Sequence, residues 1–179
     1  WHEEIQKWQH LKYLTWSIVT GDEKKRILAL NKDANIYITN RDNVSWLYKK
    51  KYTKWDLIII DESASFKNTK AKRFKDIAKF QYQNMIQLTG TPAPSGLIDI
   101  WTQIFLLDHG LRLGKSIYYY LNTYFVSDYH GYNWKCIRSE DIYKAVKDVT
   151  MVMKSEDYLE LPDLIETNTK VELSNNDFK

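Results

Sequence analysis

The sequence predicts an α/β fold in which a parallel β-sheet lies between two layers of helices. Along residues 1–110, short apolar stretches with strand composition alternate with segments whose apolar residues recur at helical spacing, as in three-layer α/β domains. The stretch "LIII" at 57–60 contains no polar residue, which is expected of a strand buried on both faces in a parallel sheet. A chain of 179 residues has room for one such domain with an appendage.

The predicted elements follow this alternation in order. They are helix 3–12, strand 14–20, helix 23–31, strand 35–39, helix 41–50, strand 55–61, helix 70–80, strand 84–89 and helix 97–107. Asp22 precedes the second helix and can accept a hydrogen bond from its first turn. Ile27, Leu28 and Leu30 form the expected buried side of that helix.

Beyond residue 110 the alternation is lost. The sequence predicts helices at 116–125 and 139–148, an aromatic, turn-rich segment between them, and strand-like stretches in "TMVMK" and "TKVELS". We interpret 111–160 as a helical and aromatic elaboration packed on the domain formed by 1–110. Its aromatic cluster is expected to serve packing rather than base stacking: Tyr118, Tyr119, Tyr120, Tyr124 and Phe125.

Composition and charge limit the functional classes. Lys and Arg number 26 against 23 Asp and Glu, giving a formal net charge of +3, which permits a polyanionic partner without requiring one. A single cysteine excludes an internal disulfide and a cysteine-cluster metal site. No apolar run is long enough to span a bilayer, so we expect a cytoplasmic protein without a membrane partner. Because the chain starts at Trp1, we also expect it to be part of a longer protein.

An acidic pair, Asp61-Glu62, ends the most apolar predicted strand. The carboxyl ends of parallel strands form the edge at which open α/β sheets bind ligands. In a nucleotide hydrolase, one carboxylate at this edge holds Mg²⁺ and a second accepts a proton from the attacking water. Asp61 is therefore the metal candidate and Glu62 the candidate base. An acidic pair after a strand also begins many loops and helices, and this alternative stays open for the pair alone.

The next predicted strand ends in Thr89-Gly90-Thr91-Pro92. The two threonine hydroxyls can hydrogen-bond to neighbouring acidic residues, and Gly90 permits a positive φ. Such a turn can change shape with the state of a bound phosphate. A plain Gly-Pro turn is the alternative.

Together these segments resemble motifs II and III of the Swi/Snf-type ATPases of helicase superfamily two. The resemblance rests on "WDLIIIDESASFKN" and "IQLTGTPAPSGLIDIWTQIFLL", and phage and bacterial members are the most similar. "WHEEIQKW" resembles the helix after motif Ia, "ITNRDNVSWL" the segment around motif Ib, and "LELPDLIETNTKVELS" the end of the first motor domain. The chain departs from the family at Ser63-Ala64-Ser65, where Ala-His or Gly-His is more usual.

The resemblance implies a RecA-like, phosphate-loop-NTPase-like first motor domain of an ATPase that acts on duplex DNA with ATP and Mg²⁺, in a bacterial host cell if a phage encodes it. Asp61 would hold Mg²⁺ and Glu62 would activate water. Thr89, Gly90 and Thr91 would couple the nucleotide state to the DNA grip. Residues 161–179 would lead to a second motor domain of the same chain.

Nucleic-acid contacts are expected from Thr39, Asn40 and Arg41, which match the motif Ib region. Such motors hold the sugar-phosphate backbone with loop residues, which gives affinity without sequence readout. Capping of the next helix by Asn40 is an equally weighted alternative. We interpret a run of basic residues as a solvated helix face rather than a phosphate contact: Lys67, Lys70, Lys72, Arg73 and Lys75.

The stretch "GLRLGKS" at 110–116 imitates a phosphate loop but does not match one. A phosphate loop has four residues between its first glycine and Gly-Lys-Ser/Thr, and this stretch has three. It also follows a predicted helix and comes after the acidic pair. We interpret Gly110 as a helix stop, Gly114 as a turn and Ser116 as a helix cap, so Lys115 is not the nucleotide lysine.

The chain is therefore expected to be a motor domain without its phosphate-loop segment, incomplete at the N-terminal edge of the sheet and inactive when isolated. Two alternatives stay open. One is a non-catalytic nucleic-acid or protein-binding scaffold with the same fold, and the other is an RNA helicase of the same superfamily.

Overall fold

The structure is a computed structural model that describes residues 1–130 and 133–153. Contacts group residues 1–146 into one unit and residues 147–179 into a second. The expected strand in "TKVELS" and the expected connection at 161–179 lie outside the described residues. Residues 151–153 are not in a strand, so the strand expectation for "TMVMK" is wrong there.

The described elements follow the predicted order with tighter bounds. The helices are α1 (His2–Lys7), α2 (Glu23–Leu30), α3 (Val44–Lys49), α4 (Lys72–Ile77), α5 (Ile100–Asp108), α6 (Ile117–Tyr124) and α7 (Ser139–Val146). The strands are β1 (Trp16–Val19), β2 (Ile36–Thr39), β3 (Lys54–Asp61), β4 (Gln81–Leu88), β5 (Phe125–Ser127) and β6 (Trp134–Cys136). Single 3₁₀ turns precede or follow several helices: Gln9–Leu11, Arg41–Asn43, Ser63–Phe66, Leu97–Asp99 and Lys147–Val149.

Helix α2 begins where the sequence predicts. The carboxylate of Asp22 accepts a hydrogen bond from the Lys25 amide at 2.9 Å, which satisfies one of the free N–H groups of the first turn. Leu30 is buried as expected, but Leu28 is 67% exposed. Residues two positions apart point about 200° apart on a helix, so Leu28 and Leu30 cannot share the single stripe that a short helix buries.

The four strands of the alternating region form two parallel pairs among the described residues. β1 pairs with β2, and β3 pairs with β4, as the predicted α/β class requires. β5 and β6 form an antiparallel pair that the sequence interpretation missed, because its short strands lie in a stretch dominated by turn-forming and aromatic residues.

One face of the β3–β4 pair is packed and the other is bare. Ile60 is only 5% exposed, and Ile58 and Met85 pack against the same core. Four large aliphatic side chains of the opposite face are between 41 and 48% exposed: Leu57, Ile59, Ile86 and Leu88. The expectation that 57–60 is buried on both faces is therefore wrong for the described structure, because Leu57 and Ile59 keep almost half of their surface exposed.

Helix α5 holds the packed side together. The rings of Trp101 and Phe105 stack with centroids 4.8 Å apart, and Phe74 of α4 lies 6.2 Å from the first and 6.0 Å from the second. The Tyr82 hydroxyl of β4 donates to the Leu106 carbonyl of α5, and burial, with a smaller contribution from Asp108, raises the pKa of Tyr82 to about 12. These contacts fix α5 against the sheet that carries the acidic pair.

The stretch 110–116 is a compact turn between α5 and α6. The Asp108 carboxylate accepts hydrogen bonds from the amides of Gly110, Leu111 and Arg112 at 2.9 to 3.1 Å. The Gly114 carbonyl accepts the Trp101 indole N–H at 3.1 Å. The turn thus satisfies its own backbone groups and connects two helices, as the interpretation of Gly110 and Gly114 predicted.

Helix α6 begins at the predicted cap and buries part of the aromatic cluster. The Ser116 hydroxyl accepts the Tyr119 amide at 3.1 Å. Tyr120 is fully buried and Phe125 is 6% exposed, whereas Tyr118 is 77% exposed. Packing is therefore the role of the inner members of the cluster. Among the described residues, no helix combines the length and the apolar character needed to cross a membrane.

Gly110→Ala is expected to lower the free energy of unfolding by about 2 kcal/mol, because Gly110 has φ +87° and an added Cβ would lie 2.7 Å from the Gly114 carbonyl oxygen. Urea unfolding measures the change. Gly90→Ala is the matched control, since nothing lies within 4 Å of its Cβ position and its φ is not positive. Equal effects of the two substitutions would contradict this account of the turn.

Candidate functional site

The predicted site residues leave the sheet side by side. In the parallel register, Asp61 at the end of β3 lies opposite Leu88 at the end of β4. Glu62 and Thr89 are therefore the next residues of two neighbouring strands. The structure brings the metal candidate, the candidate base and the Thr89–Thr91 turn to one edge, as the sequence predicted.

Asp61 presents an exposed carboxylate at this edge. One carboxylate oxygen accepts the Glu62 amide at 3.0 Å, and the other accepts the indole N–H of Trp1 at 3.1 Å. Trp1 is itself 54% exposed. A carboxylate can accept about four hydrogen bonds or ligand contacts, so Asp61 retains acceptor capacity on its solvent side.

Glu62 adopts a left-handed backbone, with φ 54° and ψ 52°. For a residue with a Cβ this conformation costs roughly 1–2 kcal/mol. It turns the chain sharply into the 3₁₀ turn Ser63–Phe66, where the Ser65 amide donates to the Glu62 carbonyl at 3.0 Å. As a result, the Glu62 side chain stays exposed at the sheet edge while Ser63 is fully buried.

A buried hydrogen-bond path runs from this turn to the Thr-Gly-Thr-Pro loop. The Ser63 hydroxyl donates to the side-chain oxygen of Gln103 at 2.9 Å. The side-chain nitrogen of Gln103 donates to the Pro92 carbonyl. Gln103 lies on α5 and is only 7% exposed. Sequence reasoning missed Gln103 and its two hydrogen bonds, although a single glutamine within "IWTQIFLL" is the kind of buried polar residue that needs partners.

A second link joins the same two segments nearer the surface. Lys67 donates to the Ser95 hydroxyl at 2.9 Å and lies 3.6 Å from the carboxylate of Asp99, which accepts the Ser95 amide at 2.7 Å. Arg73 likewise donates to the Ser65 carbonyl at 3.3 Å. Both side chains stay partly solvated, at 40% and 33% exposure, but each also binds a protein acceptor that the sequence interpretation did not predict.

The Thr89–Thr91 turn closes on itself. The Thr91 amide donates to the Thr89 hydroxyl at 3.2 Å, and neither threonine bonds to an acidic side chain in the part of the chain that the structure describes. Gly90 does not have a positive φ, whereas Gly96 has φ +97°. The turn therefore does not use the positive φ that Gly90 permits, and the positive-φ glycine comes directly before the 3₁₀ turn Leu97–Asp99.

The three nucleic-acid candidates lie together at the carboxyl end of β2. The Thr39 hydroxyl donates to the Val19 carbonyl at 2.9 Å and accepts from the Asn43 side chain at 3.0 Å. Asn40 stands before the turn Arg41–Asn43, but its side chain makes no capping hydrogen bond, so the capping alternative is wrong for the side chain. Arg41 is exposed.

Lys115 does not belong to either of the turns that follow β3 and β4. It lies in the turn between α5 and α6 and follows a helix, as the sequence interpretation required. Within residues 1–130 and 133–153, no group of three or more His, Cys, Asp or Glu side chains could hold a metal ion. Asp61 and Glu62 are thus a carboxylate pair at a sheet edge rather than a closed protein cage for a metal.

Comparison with known proteins decides the family. Residues 1–121 match the SNF2-related domain family. The chain belongs to this family. The relationship predicted from the motifs around Asp61 and Thr89 is thereby confirmed.

Individual relatives agree with the assignment. The putative protein p41 of the Acyrthosiphon pisum secondary endosymbiont phage 1 is 31% identical over 97% of this chain and 41% of its own length. Helicase SWR1 of Gibberella zeae is 29% identical over 60% of this SNF2-related chain and 7% of its own length. The chain thus spans about two fifths of the phage relative and a small part of the fungal helicase.

A solved structure confirms the fold class. The Sulfolobus solfataricus SWI2/SNF2 ATPase core, solved in complex with dsDNA, superimposes with a TM-score of 0.67 and 24% sequence identity. The match covers 83% of this chain and 30% of that one. The RecA-like α/β architecture predicted from the alternating elements is therefore present.

Glu62→Gly is expected to raise the free energy of unfolding by about 0.5 kcal/mol, because glycine removes the left-handed strain at the cost of greater freedom in the unfolded chain. Urea unfolding provides the measurement. Glu62→Gln, which keeps the strain, should leave stability within about 0.5 kcal/mol of the original. A Glu62→Gly protein more than about 1 kcal/mol less stable than the Gln form would refute the claim of strain at this residue.

Proposed function

We propose that the chain is part of the first motor domain of a Swi/Snf-type ATPase that moves along duplex DNA in the cytoplasm of a bacterial host. Residues 1–110 form the motor domain proper, 111–160 are an elaboration on it, and 161–179 lead toward a second motor domain. The observation that carries this proposal is the emergence of Asp61-Glu62 and Thr89-Gly90-Thr91 from adjacent parallel strands.

The residues present suit ATP with Mg²⁺. Proteins bind Mg²⁺ with one or two carboxylates while the ion keeps its waters and the substrate phosphates. The exposed carboxylate of Asp61 meets that requirement without a closed cage. Bound there, Mg²⁺ would neutralise charge on the phosphates of ATP. Gly90 adds an open backbone position beside the edge, with nothing within 4 Å of where a Cβ would lie.

Glu62 is the proposed general base. Its left-handed backbone keeps its carboxylate at the surface of the sheet edge while the following residue enters the core. A base must lie within hydrogen-bond reach of the water that it activates, and a rigid turn holds it there better than a mobile loop. The Thr89–Thr91 turn, which follows the neighbouring strand, would change its conformation when the bound phosphate is hydrolysed or released.

The exposed aliphatic face of β3–β4 is an argument that another segment packs there in the complete motor. Side chains alternate along a strand, so Asp61 lies on the same face as the exposed Leu57 and Ile59. Large aliphatic residues left uncovered in this way mark a contact surface. A segment packed on this face would lie beside Asp61, where a phosphate loop has to be. An arginine from the second motor domain would complete the site.

Duplex DNA is the proposed nucleic acid. The solved structural neighbour is an SWI2/SNF2 core in complex with dsDNA, and Arg41 offers an exposed guanidinium at the carboxyl end of β2. Contacts of this kind to the sugar-phosphate backbone give affinity that is independent of base sequence.

Glu62→Gln in the protein with both motor domains is expected to lower kcat for ATP hydrolysis by about 10²-fold or more, because the amide cannot accept the proton of the attacking water. ATP binding should change little, since the substitution removes a base and not a phosphate contact. A phosphate-release assay with ATP and Mg²⁺ measures kcat. Hydrolysis at the original rate would contradict the role assigned to Glu62, whereas no hydrolysis by the unsubstituted protein with both motor domains would favour a non-catalytic scaffold. Duplex DNA and RNA tested as activators in the same assay separate the DNA motor from an RNA helicase.

Arg41→Ala is expected to weaken duplex DNA binding equally for unrelated sequences and to reduce the salt slope of log K by about 1, because one phosphate contact is lost. Fluorescence anisotropy at several salt concentrations measures both quantities. Lys144→Ala on α7 is the charge-matched control, since Lys144 is also exposed. The same slope change in both variants would show a general charge effect and remove Arg41 from the interface.

A further inference from the structure

Among the described residues, no side-chain hydrogen bond joins the Asp61-Glu62 turn directly to the Thr89–Pro92 loop. The Asp61 carboxylate bonds the Glu62 amide and Trp1, and the Thr89 hydroxyl bonds the Thr91 amide. Besides the backbone pairing of β3 with β4 and the more exposed Lys67–Ser95 link, a connection between the loops has to pass through a neighbouring element. The only such path buried in the core within the described chain goes through Gln103 of α5.

Gln103 is held by both ends of its side chain. Its oxygen accepts the Ser63 hydroxyl at 2.9 Å. Its nitrogen donates to the Pro92 carbonyl and lies 3.4 Å from the Asp99 carbonyl. The backbone of the same residue is also anchored, because the Gln87 side chain of β4 donates to the Gln103 carbonyl at 2.8 Å. The amide group therefore has one favourable orientation, in which Ser63 and Pro92 are bridged.

Burial makes this bridge stiff. Ser63 is fully buried and Gln103 is 7% exposed, so water cannot replace a partner that moves away. An unsatisfied buried acceptor or donor is costly, whereas a surface hydrogen bond is exchanged for water at little cost. A shift of the turn that follows Glu62 would therefore be transmitted to the loop that ends at Pro92, and the reverse also holds.

We propose that Gln103 is a positioning residue that couples the Glu62 turn, through Ser63, to the Thr89–Pro92 loop. The coupling rests on the proposed function, in which Glu62 activates water and the Thr89–Thr91 turn responds to phosphate. Ser63 supplies the hydroxyl at the first position after the acidic pair, where the chain departs from the usual family pattern. Movement of either loop changes the geometry of the other by way of one amide group.

The turn contains its own control. Ser65 lies two residues after Ser63 in the same 3₁₀ turn, and its buried hydroxyl has no hydrogen-bond partner among the described residues. Ser63→Ala and Ser65→Ala therefore delete the same atom from the same turn. Only the first deletion breaks the path to Gln103.

The first arm of the test needs no enzymatic activity. Backbone amide resonances of Thr89 and Thr91 are recorded by NMR for the chain and for its Ser63→Ala, Gln103→Met and Ser65→Ala variants. We expect the first two substitutions to shift these resonances, the double variant to add little to either, and Ser65→Ala to leave them unchanged. Unshifted resonances in folded Ser63→Ala and Gln103→Met would overturn the proposal whatever the chain hydrolyses.

The second arm uses the protein with both motor domains. We expect Ser63→Ala and Gln103→Met to lower kcat on the order of 10-fold, as misplacement of a reacting group does, with KM for ATP unchanged and DNA stimulation reduced. Replacing both side chains removes the Ser63 hydroxyl together with its Gln103 acceptor but leaves the Pro92 carbonyl without its donor, so the double variant should regain part of the stability but not kcat. Recovery of kcat together with stability would show that the bridge serves folding alone and would overturn the proposal.

Failure of the proposed function is distinguishable from failure of this coupling. Absence of ATP hydrolysis by the unsubstituted protein with both motor domains contradicts the proposed function, while the NMR arm still decides whether Gln103 joins the two loops. Active protein with unshifted Thr89 and Thr91 resonances contradicts the coupling and leaves the proposed function intact.

Discussion

The parallel pairing of β3 with β4 is the constraint on which the rest of the site depends. Its register places Asp61 opposite Leu88, and this makes the acidic pair and the threonine turn neighbours without any long-range loop packing. A slip of one residue would exchange the two faces of the strand. Asp61 would then point to the packed side, and Ile60, which is 5% exposed, would be turned out of the core.

Stability and function use opposite faces of this strand pair. The packed face joins α5 through aromatic stacking and through the Tyr82–Leu106 hydrogen bond, so the scaffold is rigid where the catalytic chemistry needs a fixed frame. The other face carries Asp61 together with exposed aliphatic side chains. An exposed apolar surface beside the carboxylate that we propose to bind Mg²⁺ is expected if another segment completes the proposed nucleotide site.

The order of the elements and the location of the site could be predicted because both depend on local patterns: alternation of apolar residues, the Asp22 cap, and polar residues at strand ends. Burial could not be predicted in the same way. "LIII" predicts a strand covered on both faces, but whether the second face is covered depends on residues far from this stretch in the sequence. The Ser63–Gln103 bridge was missed for a related reason, since its partners are 40 residues apart and each alone has an ordinary local context.

The central claim is that this chain holds the hydrolytic carboxylates while the phosphate-binding loop belongs to another segment. ATP hydrolysis by the purified 179-residue chain, with and without duplex DNA, tests it most directly when compared with a chain extended at its amino terminus and containing the second motor domain. We predict no turnover by the first and DNA-stimulated turnover by the second. Turnover by the 179-residue chain that is lost on Lys115→Ala would contradict the claim, because the phosphate lysine would then lie in the turn between α5 and α6.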